Sequence, residues 1–270
     1  MTASGLGFAL SKCLVERGYL VAMCDIDATT GKARARELGD QAAFFEVDIT
    51  VYEELGAVFE QAWSKWGRID FVAANAGILD SASLFPSPET CPPTTPPPKP
   101  NLKTIEVNTI AAIHSVYLAR HYFSKNTAHG GTITITSSSA AFYALETAPL
   151  YTASKSAIPG LVRSLAPRLG EENIRINCIC PGFVATSLTA AIQGIVPADY
   201  ITPMSSIIHA FERFLDGDET GRVAEVSKDR VYLHEQTEFS DRWQKWVAEN
   251  LTEVKLKAQA TRQDQVRLAA

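Results

Sequence analysis

The sequence predicts one α/β domain built on a three-layer, doubly wound parallel sheet with helices on both faces. Two observations predict it. Short apolar runs alternate with amphipathic stretches through most of the chain, and glycine or polar residues follow the ends of these runs. With 270 residues, of which 46% are hydrophobic, the chain has enough apolar side chains to fill such a core.

Composition and charge exclude several classes of partner. The net charge of −5 gives no electrostatic footprint for nucleic acid, and no segment is both basic and amphipathic, as a membrane-surface helix would be. No apolar run reaches about 18 residues and the first residues do not resemble a secretory signal. We therefore expect a cytoplasmic protein with no nucleic-acid or membrane partner. The five cysteines are interpreted as reduced, mostly buried thiols, and no metal site is expected.

The first part of the chain reads as a glycine turn followed by alternating helices and strands. The predicted elements are a helix at 5–17, a strand at 20–24, a helix at 29–38, a strand at 43–47, a helix ending at Gly67 and a strand at 69–74. Thr50 and Glu53 have the spacing of a capping box for the third helix. Alternation of this kind favours parallel strand pairing.

The second part continues the alternation after one interruption. Residues 80–100 carry eight prolines and predict an exposed insertion, either a mobile flap or a tolerated surface loop. The remaining predicted elements are a helix at 102–124, a strand at 132–136, a helix to 169, a strand at 174–179, a substrate-lid region at 187–216, a strand at 222–227 and a helical tail at 241–270. We expect residues 1–270 to form a single domain.

Several polar or glycine residues fall where a dinucleotide would bind, at the carboxyl ends of parallel strands. Gly5 and Gly7 precede a helix, whose N-terminus would accept a pyrophosphate. Asp25 ends the next strand, where a carboxylate would bind both ribose hydroxyls and repel a 2′-phosphate. The spacing therefore favours NAD over NADP. Asp48 would bind an adenine amino group or would simply precede a helix, and Asn75-Ala76-Gly77 offers small residues beside a ribose.

The stretch from Ser137 to Lys155 carries a pattern for acid-base chemistry. Tyr151 and Lys155 are four residues apart and share one helix face, which on most helices is only a surface pair. A nearby ammonium would lower the pKa of the Tyr151 phenol, and Ser138 would hold the substrate oxygen. Asn108, a poor helix former within a helix, would hold a proton-relaying water or would bond only the backbone.

The order of these motifs resembles the short-chain dehydrogenase/reductase family over nearly the whole chain. The matching positions are Ser4-Gly5-Leu6-Gly7, Asp25, Asp48-Ile49, Ala74-Asn75-Ala76-Gly77, Asn108, 136–139, 151–155 and Pro181-Gly182-Phe183-Val184-Ala185-Thr186. The resemblance implies a Rossmann-type NAD(P)-dependent oxidoreductase. It also implies that Ser138, Tyr151, Lys155 and Asn108 form a catalytic tetrad, and that Val184 and Thr186 contact the nicotinamide carboxamide.

Within the family, residues 176–188 and the extended C-terminal region look most like the hydroxyprostaglandin dehydrogenase branch and its fungal relatives. This likeness implies a small apolar alcohol or ketone as substrate, of lipid, terpenoid or polyketide type, and a role in fungal secondary metabolism. It implies a homodimer or homotetramer. The expected substrate pocket is lined by Phe142, Tyr143, Leu145, Phe183 and Leu188.

Three departures from the family pattern stand out. Met1 stands where the first glycine of the turn would fall, so we expect the central first strand to be missing. Without this strand we expect the chain to fold weakly and to bind NAD weakly. Either a sequence that starts at an internal methionine or a degenerate gene would explain its absence. Pro159 is expected to kink the helix that carries Tyr151. Ala74 replaces an asparagine common in the family. The alternative function is a silent homologue that binds a nucleotide or partner; a nucleotide-sugar epimerase is disfavoured by the short C-terminal region.

Overall fold

A computed structural model describes residues 3–81, 83–85, 96–251 and 253–254. The chain divides into two compact units, Met1–His234 and Glu235–Ala270. In the second unit a helix begins after Asp241, whose carboxylate accepts hydrogen bonds from the backbone N–H groups of Trp243 and Gln244. Residues 82 and 86–95 of the predicted proline-rich insertion and residues 252 and 255–270 of the predicted tail lie outside the described residues.

The first unit contains the alternating helices and strands that the sequence predicts. They are α1 (Gly5–Glu16), β1 (Val21–Asp25), α2 (Ala28–Leu38), β2 (Ala42–Glu46), α3 (Tyr52–Trp66), β3 (Phe71–Ala74), α4 (Lys103–Ile105), α5 (Ala111–Phe123), β4 (Gly131–Thr136), α6 (Pro149–Gly170), β5 (Ile174–Pro181), α7 (Met204–Asp216), β6 (Val223–Ser227) and β7 (Arg230–Leu233). A π-helical turn, Glu106–Ile110, joins α4 to α5. Short 3₁₀ turns occur at Gly39–Gln41, Ser139–Ala141, Ser187–Ile192 and Ala198–Tyr200.

The strands form two sheets among the described residues. Five strands pair in the order β3-β4-β5-β6-β7, all parallel except for β7, which is antiparallel to β6. The other two strands, β1 and β2, pair in parallel with each other. Helices cover both faces, so the expected three-layer α/β architecture is confirmed. One core packs α3, α5 and α6 against β4 and β5, and the other packs α1, α2 and α7 against β1, β5 and β6.

A large apolar cavity separates the two sheets. Its volume is about 630 Å³, and it is lined by residues 21–24 of β1, by residues 71–74 of β3 and by parts of α1, α3 and α5. We call this cavity the strand slot. Each of the two strands beside it has one hydrogen-bonded neighbour among the described residues, so each presents its other edge to the slot. The strand slot lies where the sequence predicted that the central strand is missing.

Two local expectations were wrong for identifiable reasons. Thr50 does not cap α3: its N–H and hydroxyl both bond Asp48 Oδ1, at 2.9 and 2.6 Å, and the N-cap position falls to Val51. Strand β7 was missed because its turn, Lys228-Asp229, carries no glycine or asparagine signal. Lys228 nevertheless adopts a positive φ of 55° to make the turn.

We predict that an apolar segment of five or six residues joined ahead of Met1 will raise the free energy of unfolding. Ala3 is the first described residue, and its N lies 2.9 Å from the carboxylate of Asp25. It therefore lies at the carboxyl end of β1, where a parallel strand in the slot would finish. Each buried aliphatic side chain is worth about 1.5–3 kcal/mol, and ordering the strand offsets part of this gain.

Denaturant unfolding of the chain with and without the added segment checks this prediction. A glycine-serine segment of equal length is the control, because it adds backbone and little apolar surface. A net gain of about 3 kcal/mol over that control is expected. Equal midpoints for the apolar and glycine-serine versions would contradict the prediction.

Candidate active site

A second, smaller cavity lies at the carboxyl ends of β3, β4 and β5. Its volume is about 150 Å³. Most of the predicted site residues line it: Ser4, Gly5, Leu6, Asn75, Gly77, Ser138, Tyr151, Lys155, Pro181, Gly182, Val184 and Thr186. Thr136, Ser137 and residues 187–189 complete the wall. The fold therefore brings together residues spread over more than 180 positions of the sequence. We call this space the catalytic cavity.

Lys155 is almost fully buried beside the catalytic cavity, with 2% of its surface exposed. Its Nζ donates a 2.9 Å hydrogen bond to the carbonyl oxygen of Thr136. Burial lowers the pKa of Lys155 from 10.5 to about 8, because the charged form loses hydration. Nζ lies 5.8 Å from the centre of the Tyr151 ring. At neutral pH the side chain is therefore still mainly an ammonium, held close to the phenol.

Tyr151 is also buried, and this changes the expected direction of its titration. Burial raises the pKa of the Tyr151 phenol, while a hydrogen bond with Ser138 lowers it by a smaller amount. The expectation of a net lowered pKa was wrong because the sequence argument counted the neighbouring ammonium and ignored desolvation. The phenol is consequently protonated at neutral pH and is a proton donor.

Asn108 lies in the π-helical turn between α4 and α5 and is 2% exposed. Its Oδ1 accepts from the backbone N–H of Ile78 at 2.9 Å, and its Nδ2 donates to the Ile78 carbonyl and to Ser154 Oγ, both at 3.0 Å. Single π-turns of this kind are often found at functional sites. The Asn108 side chain thus joins the loop after β3 to α6, behind the catalytic cavity.

The helix that carries Tyr151 and Lys155 runs without a break through Pro159. Proline has no N–H to donate to the carbonyl four residues earlier, which belongs to Lys155. Ser137 supplies the missing donor, since its hydroxyl bonds the Lys155 carbonyl oxygen at 2.7 Å and is buried there. The helix thus continues past the proline at which a kink was expected, and the residue that follows β4 supplies the missing hydrogen bond.

The residues of the catalytic cavity fit the nicotinamide half of NAD. Gly77 keeps the wall open, because a Cβ there would lie 3.2 Å from Lys155 Nζ. Gly5 has a φ of +53°, and a Cβ on it would meet Thr186 at 3.2 Å. Three polar side chains with hydroxyl or ammonium groups, Ser138, Tyr151 and Lys155, line the same space. Ligand pockets usually measure about 300–1,000 Å³, so the catalytic cavity, at about 150 Å³, has room for only part of a dinucleotide.

The residues predicted for the adenosine half lie outside the catalytic cavity. Asp25 is 5% exposed, and its oxygens accept from Ala3 N at 2.9 Å and from Asp27 N at 3.2 Å. Asp48 accepts from Thr50 and, at 3.3 Å, from Lys103 Nζ. Three further predicted residues border the strand slot: Gly7, Ile49 and Ala76. Each carboxylate has about four acceptor positions, so an adenosine would use those that these hydrogen bonds leave open.

Of the apolar residues expected around a substrate, Leu188 lines the catalytic cavity. Tyr143 is 58% exposed and donates to Glu225 at 3.2 Å, and Phe142 stacks on His234 with ring centres 3.9 Å apart. Leu145 is exposed and Phe183 is partly buried. The described part of the expected pocket is thus an open surface beside the cavity.

Sequence reasoning missed three residues that hold the catalytic groups. Thr136 binds Lys155 through its carbonyl and Asn75 Oδ1 through its hydroxyl, at 2.9 Å in each case. Ser137 and Ser154 complete the set. A backbone carbonyl leaves no mark in the sequence. Of these contacts, only that of Ser137 could have been predicted from the sequence, through Pro159. A proline within a helix cannot donate to the carbonyl four residues earlier, so another group must supply the hydrogen bond.

Within the described ranges, no group of three or more His, Cys, Asp and Glu side chains is arranged to hold a metal ion. No helix in the same residues is long and apolar enough to cross a membrane.

A helix-covered, mostly parallel sheet, with buried tyrosine and lysine side chains and a half-buried serine at its carboxyl edge, is typical of an oxidoreductase of the Rossmann type. The family model described as short chain dehydrogenase matches residues 2–194. The chain belongs to the short-chain dehydrogenase family.

Relatives and solved structures agree with this assignment. Short-chain dehydrogenase/reductase prx6 of Penicillium rubens is 35% identical over 240 residues, which are 86% of this chain and 80% of that protein. Human 15-hydroxyprostaglandin dehydrogenase [NAD(+)] is 31% identical over 199 residues, 71% of this chain and 68% of that protein. The 3-ketoacyl-(acyl-carrier-protein) reductase from Brucella melitensis, solved with NADH, superposes with a TM-score of 0.69 at 22% identity, over 83% of this chain and 93% of that one. This last likeness shows the fold.

We predict that Ser137→Ala destabilises the protein by about 1–3 kcal/mol, because it leaves the buried Lys155 carbonyl without a donor. In a Pro159→Ala background the same change should cost less, since residue 159 would then offer an N–H to that carbonyl. Chemical denaturation of the wild type, both single variants and the double variant gives the coupling. An equal cost of Ser137→Ala in both backgrounds would show that the hydroxyl does not replace the helical bond.

Proposed function

We propose that the protein is an NAD-dependent oxidoreductase that interconverts a secondary alcohol and a ketone on an apolar substrate. The observation that supports this most strongly is the protonated, buried Tyr151 beside Ser138 and Lys155 in one cavity. A phenol and a hydroxyl facing the same small space are suited to bind one carbonyl oxygen and to move one proton at it.

In ketone reduction Tyr151 Oη gives its proton to the substrate oxygen while a hydride arrives at the carbonyl carbon. In alcohol oxidation the phenolate takes the hydroxyl proton as hydride leaves the carbon. NAD, when bound, supplies or accepts this hydride at its nicotinamide ring. Ser138 orients the substrate oxygen and stabilises charge that develops there. Val184, Thr186, Pro181 and Gly182 would border the nicotinamide.

Lys155 provides positive charge next to the reacting proton. Its ammonium is fixed by the Thr136 carbonyl, and burial keeps its pKa at about 8, so it is charged at neutral pH and titrates just above it. A fixed charge in a site with little water acts more strongly than the same charge in solvent. Asn108 keeps the loop that carries Gly77 against α6 through its bonds with Ile78 and Ser154.

NAD is favoured over NADP by the carboxylate at the end of β1. A negative charge there would repel a 2′-phosphate and would accept hydrogen bonds from ribose hydroxyls. The name of the human relative specifies NAD(+), which supports the same preference, whereas a solved structure of similar fold, ElxO, holds NADP. The preference therefore depends on Asp25, whose remaining acceptor positions would bind the ribose.

The substrate class proposed is a lipid, terpenoid or polyketide-like alcohol or ketone. Exposed apolar side chains beside the catalytic cavity, among them Leu145 and Leu188, support it. We further propose that the enzyme acts in fungal secondary metabolism, in the cytoplasm, as a homodimer or homotetramer. Mass measurement of the purified protein and fractionation of producing cells would test the last two points.

A second function is favoured by a specific observation. The catalytic cavity, at about 150 Å³, is smaller than a dinucleotide site. A small cavity suits a catalytically silent family member that binds a nucleotide or a partner weakly. Turnover by the purified chain distinguishes the two functions.

Tyr151→Phe is expected to lower kcat by at least about 100-fold, because the variant has no proton to give or take. Initial rates of NADH formation with a panel of secondary alcohols measure the loss, and Tyr117→Phe, which removes an exposed phenol from α5, is the control. Oxidation needs the phenolate, whose pKa lies above its ordinary value, and the Lys155 ammonium, whose pKa is about 8, so its rate should rise with pH up to about 8 and then level off. Ketone reduction needs the phenol and the ammonium, so its rate should fall above about pH 8. Unchanged turnover in the variant would refute the assignment.

Asp25→Asn should reduce the preference for NAD over NADP by about tenfold, since it removes the charge and keeps an acceptor oxygen for Ala3 N. The ratio of kcat/KM for the two cofactors measures the effect. Asp27→Ala is the matched control, because that exposed carboxylate, two residues further on, caps α2 through Thr30 N. Thermal midpoints of both variants separate altered preference from unfolding. A ratio that does not move would remove Asp25 from the cofactor site.

A further inference from the structure

Asp80 contacts the helix that carries Tyr151 from outside that helix. It lies six residues after β3, and its two carboxylate oxygens accept from two successive backbone N–H groups: Oδ2 from Leu150 at 3.0 Å and Oδ1 from Tyr151 at 2.6 Å. Both donors are in the first turn of α6, which begins at Pro149. One side chain thus binds two N–H groups of the turn that carries the phenol. We call this pair of hydrogen bonds the grip.

The two hydrogen bonds to Asp80 supply acceptors for the first-turn N–H groups that have no partner within the helix. Helices begin with N–H groups that have no partner within the helix, and these groups need other acceptors when they are buried. Pro149 has no N–H, and the N-cap residue, Ala148, has no side chain that could accept one. Leu150 and Tyr151, both at most 8% exposed, bond Asp80, and Thr152 N already bonds the carbonyl of Ala148. The carboxylate replaces a cap that the sequence of α6 lacks.

The segment that carries Asp80 is itself held at successive residues. Asn108 binds both the N–H and the carbonyl of Ile78, and the buried Thr104 donates to the carbonyl of Leu79 at 3.2 Å. Residues 78–80 therefore form a short bracket between the turn that carries Asn108 and the start of α6. Gly77, which borders Lys155 Nζ, immediately precedes this bracket.

We propose that Asp80 is a positioning residue, whose carboxylate sets the place and orientation of Tyr151 relative to Lys155 and the substrate oxygen. It touches no reacting atom and acts through the Leu150 and Tyr151 backbone. A displacement of about 1 Å in a catalytic group can lower a rate by about 100-fold, so the geometry of this turn matters more than its stability alone. The inference rests on the proposed oxidoreductase function for its kinetic part only.

The alternative is that Asp80 is simply a helix cap. A cap contributes to folding, and its removal lowers stability without changing the chemistry of the folded fraction. The two roles differ in what they predict for kcat, for KM and for the pH profile of the folded protein.

The test compares Asp80→Ala, Asp80→Asn and the wild type, with Asp241→Ala as matched control. Asp241 likewise accepts from two successive backbone N–H groups at a helix start. It belongs to the C-terminal unit, and it is neither a predicted site residue nor a residue that lines the catalytic cavity. Hydrogen exchange of peptides covering 148–155 reports the grip without any need for activity. We expect exchange in Asp80→Ala to be faster by about tenfold, whereas Asp241→Ala leaves this segment unchanged.

Kinetics at a temperature where all variants are folded tests the positioning. We expect Asp80→Ala to lower kcat by about 10- to 100-fold with a much smaller change in KM for NAD, and to alter the pH dependence of kcat. Asp80→Asn, which keeps one acceptor oxygen, should recover part of the rate. Unchanged exchange in 148–155 would overturn the grip, and faster exchange with a wild-type kcat and pH profile would reduce Asp80 to a cap. An inactive wild type would contradict the proposed function, whereas the exchange result would still judge the grip.

Discussion

The proposed active site depends on keeping an ammonium group out of water. Lys155 is 2% exposed and its Nζ has the Thr136 carbonyl as partner, so burial costs free energy that the rest of the fold must offset. That cost explains why the groups around it are so fully bonded. Ser137 holds the backbone of Lys155, and Ser154 and Asn108 connect the same helix turn to the loop after β3. The low pKa of the lysine and the high pKa of the tyrosine have the same main cause, desolvation.

These bonds join separate parts of the chain around one helix. The end of β4 supplies Thr136 and Ser137, and the π-helical turn supplies Asn108. Each of them contacts α6 within the turns that carry Tyr151 and Lys155. The catalytic geometry is therefore a property of the packing between α6 and its neighbours. The spacing of tyrosine and lysine by itself fixes only that they share a helix face.

The sequence predicted the elements better than it predicted their contacts. Apolar periodicity placed nearly every helix and strand, because burial on one face imposes its period directly on the residues, and glycine stops such as Gly67 marked the ends. The motif order also brought Ser138, Tyr151 and Lys155 to one cavity. The desolvation of Tyr151 could not be predicted from periodicity or motif order, because it depends on all the groups packed around the side chain. The predicted direction of the Tyr151 pKa shift was therefore wrong. The acceptor of Lys155 is a backbone carbonyl, which any residue at position 136 would have offered.

The strand slot also divides the predicted cofactor site. Asp25 is the last residue of β1 in the two-stranded sheet, whereas Ser138 follows a strand of the five-stranded sheet and Tyr151 and Lys155 lie on α6. No strand hydrogen bonds join these two sheets among the described residues. A dinucleotide that contacted both Asp25 and Tyr151 would therefore span the gap and work as a staple between the two halves. In such a molecule, the ligand would stabilise the aligned arrangement of the two sheets, and any change that favoured this alignment would raise the affinity for the ligand by the same free energy.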